Sequence, residues 1–249
     1  MTRWIWLLAV WPLLGGCITE TTGGMPDPAP KSERVQAHLD LARGYLAQGD
    51  ADRARAPLET ALKIDPKSAD ALVLMAVLYQ REGDTALAED SYEKALRYHP
   101  SHPQALNNYA TFLYSQGRYE EAVKPLRKLV QNPDYPARAQ AYENLGMTEL
   151  KVGHREQARE AFQRSLSLSD DQPRSSLELA DLAFQDGEVA AAQGYFDAFR
   201  VQARQTPRSL CLGIELARAE GDSNQAASYA MALKNLYPNS LEAQGCNGG

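Results

Sequence analysis

The 249-residue sequence lacks the motifs that many enzymes carry. It contains no glycine-rich loop that could cradle a phosphate and no Gly-x-Ser-x-Gly nucleophile elbow. Histidine is scarce, and the closest pair, His99 and His102, has no neighbouring cysteine or carboxylate to complete a metal site. A solvated turn explains this pair better. We therefore expect no catalytic residues, no metal and no cofactor.

Positive charge is also in short supply. Lys and Arg number 26 against 32 Asp and Glu, so the formal net charge is −6. An acidic chain without a basic patch is a poor match for nucleic acid or for anionic lipid headgroups. We therefore expect no nucleic-acid partner.

The apolar run near the N-terminus is too short to cross a membrane. It extends over the 11 residues from Trp4 to Leu14 and follows a single charge, Arg3. At about 1.5 Å per residue, a helix of this length falls well short of a hydrocarbon core of about 30 Å. The run has the size of the apolar region of a signal peptide.

The residues that end this run are Leu14-Gly15-Gly16-Cys17, a stretch that resembles the lipobox of bacterial lipoproteins. The resemblance implies that residues 1–16 are a signal peptide and that Cys17 becomes an acylated N-terminus, with several acyl chains anchoring the protein. It also implies outer-membrane sorting, because Ile18 stands where an Asp would favour retention in the inner membrane. The alternative is an ordinary cleaved signal with an incidental cysteine.

Processing at Cys17 would change two bulk properties. The net charge would become −7, because Arg3 is the only charged residue removed. Tryptophan would be absent, because Trp4, Trp6 and Trp11 all precede the cleavage point. Residues 17–34, rich in Pro, Gly and Thr, predict a flexible tether between the lipid and a folded body.

A repeat of about 34 residues begins at Val35. Six glycines recur at spacings of 34, 34, 36, 34 and 34, and an alanine stands five residues after each of them. Apolar residues at three- and four-residue spacing predict two amphipathic helices per unit. Glycine would end the first helix in a left-handed conformation, and alanine would let the two helices approach closely. The glycines are Gly49, Gly83, Gly117, Gly153, Gly187 and Gly221, and the alanines are Ala54, Ala88, Ala122, Ala158, Ala192 and Ala226.

This pattern resembles the tetratricopeptide repeat, which also has a period of 34 residues. The resemblance implies an all-α, right-handed superhelix of six helix-turn-helix repeats. The units are residues 35–68, 69–102, 103–138, 139–172, 173–206 and 207–240, followed by a tail at 241–249. Units one and two match best. Units five and six are degenerate, and unit six has Gly213-Ile214 where a small residue usually comes second.

Unit three is two residues longer than the others. The extra length lies in 131–138, around Pro133 and Pro136. We expect the stacking angle between units three and four to change there, as a kink or a mild hinge. A single rigid array is the alternative.

The repeat resemblance also implies where a partner would bind. In this family the first helix of each unit lines a concave groove through its second, fifth, ninth and twelfth positions. The candidate groove residues are Leu39, Arg43, Leu46, Val73, Val77, Asn107, Thr111 and Tyr114. Later units place Glu143, Met147 and Leu150 at such positions. An apolar groove of this kind suits an amphipathic helix or an added strand, although the apolar members could equally pack against neighbouring helices.

Two cysteines remain besides Cys17. Cys211 and Cys246 form an even pair in an oxidising compartment, so a disulfide could join the last repeat to the tail. Two free thiols are the equally weighted alternative.

A lipobox, a short tether and six repeats together resemble the type IV pilus pilotin family (PilF/PilW). The resemblance implies a lipid-anchored protein on the periplasmic face of the outer membrane that binds the pilus secretin and promotes its localisation and multimerisation. We expect a monomer that acts by holding its client. The rival hypotheses are a scaffold for β-barrel assembly or for peptidoglycan enzymes and, from another class, an enzyme.

Overall fold

The computed structural model describes residues 29–246, which form thirteen α-helices and no strand. The predicted signal peptide, Cys17, most of the tether and residues 247–249 lie outside the described residues. The helices are α1 Lys31–Ala47, α2 Ala51–Ile64, α3 Ala69–Glu82, α4 Thr85–Tyr98, α5 Pro103–Ser115, α6 Tyr119–Val130, α7 Arg138–Val152, α8 Arg155–Leu168, α9 Pro173–Gln185, α10 Val189–Gln202, α11 Pro207–Ala219, α12 Ser223–Leu236 and α13 Leu241–Gly245.

Helices α1 to α12 form six consecutive hairpins, one in each predicted unit. Two boundaries differ from the prediction. Helix α1 begins at Lys31, inside the predicted tether, because the carbonyl of Pro30 already accepts a hydrogen bond from the Arg34 amide at 3.1 Å. The predicted tail contains the short helix α13, whose first turn is capped by the Ser240 side chain.

The six repeating glycines end the first helices in the predicted conformation. All have φ between +74° and +89°, a region that side-chain-bearing residues seldom adopt. In three hairpins an aspartate follows the glycine directly and caps the second helix: Asp50, Asp84 and Asp222 accept hydrogen bonds from backbone amides three residues later. The tight connection between the two helices is therefore encoded locally.

The repeating alanines lie where the two helices of each hairpin meet, as predicted. Five of the six are fully buried, and Ala226, in the last unit, is 7% exposed. A second small residue on the first helix faces a large one on the second. In unit four this pair is Gly146 and Phe162, and a Cβ at Gly146 would lie 2.6 Å from the Phe162 ring. Gly146 is therefore required by packing.

Unit six keeps the hairpin although its sequence departs from the pattern. Ile214 occupies the usual small position and is fully buried, while the preceding Gly213 provides the close approach. A Cβ at Gly213 would lie 2.9 Å from the ring of Phe196 and 3.1 Å from the ring of Tyr229. The small and large residues have exchanged places along the helix, so the volume between the helices is still filled.

The stacking of the hairpins changes between units three and four. At the other four junctions, the first helices of consecutive units contact one another: α1 with α3, α3 with α5, α7 with α9, and α9 with α11. At this junction the extensive contacts are between α6 and α7. The longer link is held in place, since Tyr135 packs against the core and Arg138 donates a hydrogen bond of 2.8 Å to the Val130 carbonyl. The change in packing falls where the extra residues predicted it.

A disulfide between Cys211 and Cys246 joins α11 to the end of α13, with the two Cα atoms 5.7 Å apart. The Cys246 side chain also packs against the last apolar cluster, which contains Leu210, Ile214 and Leu233. Of the two alternatives for these cysteines, the structure shows the bonded pair. The final hairpin thus receives a covalently attached cap in place of a seventh unit.

Candidate functional site

The candidate groove residues divide into buried and accessible groups. Leu39, Leu46 and Val73 are 2%, 5% and 2% exposed and belong to the apolar core clusters of units one and two. Of the two alternatives for these apolar residues, an open groove surface or packing between helices, their burial supports packing. The reason is that helices of neighbouring units cover these positions, and the repeat pattern does not distinguish a covered apolar residue from an uncovered one.

The other N-terminal candidates form no continuous surface. Val77 is half-buried against the first core cluster. Arg43 is half-exposed and its guanidinium contacts Asp40 at 2.9 Å and Asp70 at 3.8 Å. Asn107 donates a hydrogen bond to the Asn108 side chain at 3.4 Å. A depression of about 450 Å³ near the start of α1 is lined by Leu39 but also by Asp65 and Asp70.

Thr111 and Tyr114, the last two candidates, line a well-defined cavity. We call it the junction cleft. It has a volume of about 230 Å³ and lies among the first helices of units three, four and five and the second helix of unit three. Its lining consists of Ala110, Thr111, Tyr114, Leu126, Asn144, Met147, Thr148 and Arg174.

The junction cleft follows from the change in stacking. Because α7 packs closely against α6, space remains between α5 and α7, and the cleft occupies that space. Ala110, Leu126 and Met147 give it an apolar floor. The Tyr114 ring forms one wall and is held by an edge-on contact with Tyr119, with the ring centroids 5.0 Å apart.

A buried carboxylate on α7 positions the start of α9 beside the cleft. Glu143 is 4% exposed, and its Oε2 accepts hydrogen bonds from the Ser175 backbone amide at 3.0 Å and from the Ser175 hydroxyl at 3.1 Å. Its Oε1 accepts a hydrogen bond from Gln140 at 2.8 Å. A buried charge is tolerated only when it is satisfied in this way. Glu143 was expected to face the groove, but it serves as the link between units four and five.

A second buried carboxylate holds α7 against α6. Glu149 is 1% exposed, accepts a hydrogen bond from Arg127 Nε at 2.9 Å and forms an ion pair with Arg127 Nη2 at 2.7 Å. The ring of His154, at the start of α8, lies 2.8 Å from its other oxygen. This arrangement connects three helices on the far side of α7 from the cleft. It stabilises the altered junction.

Arg174 is the charged residue of the junction cleft. It lies at the second position of unit five, the same position that Arg208 has in unit six. Arg208 is fully engaged: it binds Glu178, with Nη2 to Oε2 at 2.8 Å, and contacts Asp181 at 2.6 Å. Hydrogen bonding to Glu178 raises the pKa of Arg208. Arg174 makes one long ion pair, 4.0 Å from Glu143, and its side chain is 59% exposed.

Sequence reasoning found Thr111, Tyr114 and Met147 but missed Asn144, Thr148 and Arg174. Arg174 stands at the second position of unit five, one of the four groove positions of the repeat, so this position could have indicated it. Asn144 and Thr148 lie outside the groove positions of the repeat, and they reach the cleft because α7 is displaced. No signal in the sequence indicates that displacement beyond the two extra residues.

The histidines at the turn after α4 have structural partners. His99 Nε2 lies 2.8 Å from the Lys67 carbonyl, and His102 caps α5 by accepting a hydrogen bond from the Ala105 amide at 3.3 Å. Within residues 29–246, no group of three or more His, Cys, Asp or Glu side chains is arranged to hold a metal ion. In the same range, no helix has the length and apolarity needed to cross a bilayer.

The chain matches models of a known repeat family over most of the described residues. Tetratricopeptide-repeat models match residues 45–89, 73–139 and 143–207. The chain therefore belongs to the tetratricopeptide-repeat superfamily, and its all-α architecture is the predicted superhelix of stacked hairpins.

Within that superfamily the chain belongs to the PilF family of type IV pilus assembly proteins. It is 42% identical over 241 residues to the type IV pilus assembly protein PilF of Pseudomonas aeruginosa, covering 96% of this chain and 95% of the relative. The solved structure of Pseudomonas aeruginosa PilF has a TM-score of 0.80 at 44% identity and matches 86% of this chain and 96% of that one. The structure of PilW, a widely conserved type IV pilus biogenesis factor, has a TM-score of 0.68 at 31% identity, covering 84% and 96% of the two chains.

Proposed function

We propose that this protein is an outer-membrane lipoprotein that binds subunits of the type IV pilus secretin and promotes their localisation and multimerisation. The observation that carries the proposal is the similarity to a type IV pilus assembly protein over nearly the whole length of both chains. The lipobox-like sequence ending at Cys17 supports the membrane anchor. The helical array supplies a large surface for holding a polypeptide, so the role is one of binding and not of catalysis.

Deletion of the gene, with complementation, tests the client. We expect deletion to abolish secretin multimers, assayed as high-mass species on denaturing gels, while the bulk β-barrel proteins and cell shape stay unchanged. Loss of barrel proteins, or a change in cell shape with normal secretin multimers, would instead favour the scaffold hypotheses for barrel assembly or peptidoglycan enzymes. Turnover of a small molecule by the purified protein would favour an enzyme.

Two substitutions separate anchoring from sorting. In the Cys17→Ala variant we expect a soluble periplasmic protein and a misplaced secretin, measured by membrane fractionation. In the matched Ile18→Asp variant we expect the lipid anchor to remain and the protein to stay in the inner membrane with its client. The anchor hypothesis fails if Cys17→Ala protein remains in the outer membrane with correctly placed secretin.

A further inference from the structure

The junction cleft is small for a ligand but large enough for an anchoring side chain. Pockets that enclose a drug-sized molecule have volumes of about 300–1,000 Å³, whereas this cleft has about 230 Å³. Its floor is apolar, formed by Ala110, Leu126 and Met147. A large apolar side chain that projects from a longer polypeptide would cover this surface. Removing apolar surface from water contributes favourably to the free energy of binding.

The rim of the cleft offers hydrogen-bond donors. Among the residues that the structure describes, the guanidinium of Arg174 makes a single contact at 4.0 Å, which leaves most of its five donor hydrogens available there. Asn144 Oδ1 accepts a hydrogen bond from Gln140 at 3.4 Å, and the side-chain nitrogen Nδ2 of Asn144 has no partner among the described residues. The hydroxyls of Thr111 and Thr148 donate to backbone carbonyls of their own helices.

The nearest carboxylate does not occupy these donors. Both oxygens of Glu143 accept shorter hydrogen bonds, from Gln140 and from Ser175. At the equivalent position of unit six, the donors of Arg208 are paired with carboxylates, those of Glu178 and Asp181. Arg174 is therefore complementary to a carboxylate that residues 29–246 do not supply, and a planar guanidinium recognises carboxylates particularly well.

The backbone of the array limits how a partner could bind. Residues 29–246 contain helices and turns but no strand, so they offer no sheet edge to which a partner strand could be added. Recognition must use side chains. In an amphipathic helix, side chains three or four residues apart lie about 5–6 Å from each other, a spacing that lets one enter the floor while the other meets the rim.

We propose that the junction cleft is a docking subsite for an amphipathic helix of the client, taking one large apolar side chain while Arg174 and Asn144 bind the carboxylate of an Asp or Glu one turn away. This inference rests on the proposed function, in which the client is a polypeptide. It moves the contact away from the N-terminal groove positions toward the middle of the array.

The first test uses the mature protein and defined peptides. The probe is a fluorescein-labelled, alanine-based helical peptide with Phe at one position and Glu four residues later. The comparison peptides have Gln in place of Glu, or Ala in place of Phe. By fluorescence anisotropy we expect the Phe/Glu peptide to bind about tenfold more tightly than either comparison peptide, since a charge-assisted hydrogen bond and a buried ring are each worth at least that factor.

Two variants and one matched control locate the site. Arg174→Gln should remove the preference for Glu over Gln, and Thr111→Phe should fill the mouth of the cleft and abolish binding. Both positions are exposed, so far-UV circular dichroism should show an unchanged fold. Arg43→Gln, at a groove position of unit one, should bind like the unsubstituted protein. Absence of saturable binding by the Phe/Glu peptide, or equal binding by both cleft variants, would overturn the inference.

The second test uses purified secretin of the same bacterium as the probe. If the protein binds secretin and both cleft variants lose at least tenfold in affinity, the subsite and the proposed function stand together. If secretin binds equally to all variants, or is lost only with Arg43→Gln, the subsite is wrong and the proposed function survives. If secretin is not bound while the peptide results hold, the client assignment fails and the subsite stands.

Discussion

Units one to three and units four to six both stack their hairpins into an array, but the side chains that they bury differ. Within the described residues, the first three units bury a single polar side chain, that of Ser91. The last three bury eight: Glu143, Thr148, Glu149, Ser165, Ser175, Ser176, Glu178 and Ser209. The apolar clusters change in the opposite direction, since those at the C-terminal end contain fewer buried members.

The polar contacts of the second half connect successive units. A carboxylate on the first helix of one unit binds the beginning of the first helix of the next, as Glu143 binds Ser175 and Glu178 binds Arg208. Apolar clusters extend from one unit into the next in both halves, but they have ten buried members each in units one to three and eight, four and three in units four to six. We interpret the difference as a replacement of buried apolar area by hydrogen bonds. Apolar contacts tolerate variation in the angle between helices, whereas hydrogen bonds depend on geometry. The degenerate repeat sequence of the second half is compensated in this way.

The largest effect should come from removing apolar area in the first half. Phe112 is 1% exposed and contacts the rings of Tyr92 and Tyr109. We expect Phe112→Ala to lower the free energy of unfolding by about 3–5 kcal/mol, because a cavity is left in a cluster shared by units two and three. Urea unfolding followed by far-UV circular dichroism measures it. Leu87→Ala, at a position 43% exposed, is the control and should change stability little. Equal effects of the two would contradict the apolar account of the first half.

The next effect should come from the polar link between units four and five. Glu143→Ala leaves the Ser175 amide without its acceptor and leaves the Ser175 hydroxyl with Ser165 alone, and we expect a loss of about 2–3 kcal/mol in the free energy of unfolding. Hydrogen exchange should show the loss concentrated in α7 and α9. Glu120→Ala, on the exposed face of α6, should be close to neutral. A neutral Glu143→Ala variant would show that the buried carboxylates contribute little to stacking.

Two glycine substitutions should have opposite signs. Gly146→Ala would place a Cβ against the Phe162 ring, and overpacking of this kind costs about 1–3 kcal/mol. Gly44→Ala, inside α1, meets no atom within 4 Å and should stabilise by about 0.5–1 kcal/mol through the better helix propensity of alanine. Thermal unfolding of both variants checks the contrast. Stabilisation by Gly146→Ala would show that the ring moves aside freely.

The smallest effect should be a pH-dependent one at the surface. Hydrogen bonding to Arg155 lowers the pKa of Asp186, and Arg159 adds to the effect. A depressed pKa in the folded state means that the contact stabilises above the ordinary pKa of Asp and is lost as the pH falls through the folded value. Because the carboxylate is exposed, we expect Asp186→Asn to lower the Tm by no more than about 2 °C at pH 7. The difference from the unsubstituted protein should disappear near pH 2, and a constant difference would contradict the assignment.

Much of the architecture could be predicted from the spacing of the repeating glycines and alanines. Gly83 and Ala88 illustrate why: one needs a left-handed backbone and the other a short side chain, and both demands act within a single hairpin. The binding surface could not be read in the same way. Leu39 and Val73 occupy groove positions of the repeat, yet neighbouring units cover them, whereas Asn144 lies outside those positions and reaches the cleft.

The sequence by itself therefore determined the period, the six hairpins, their glycine turns and the place where the stacking would change, because each depends on residues close together in the chain. It also contains the lipobox-like stretch at Cys17, which stays a prediction. Only the tertiary structure decided that Glu143 links two units, that Gly213 and Ile214 exchange the small and large positions, and that Thr111, Asn144 and Arg174 meet around one cleft. The residues of the cleft meet because α7 is displaced relative to α5. The two extra residues predict the place of this displacement, but its extent is a balance of packing among three units.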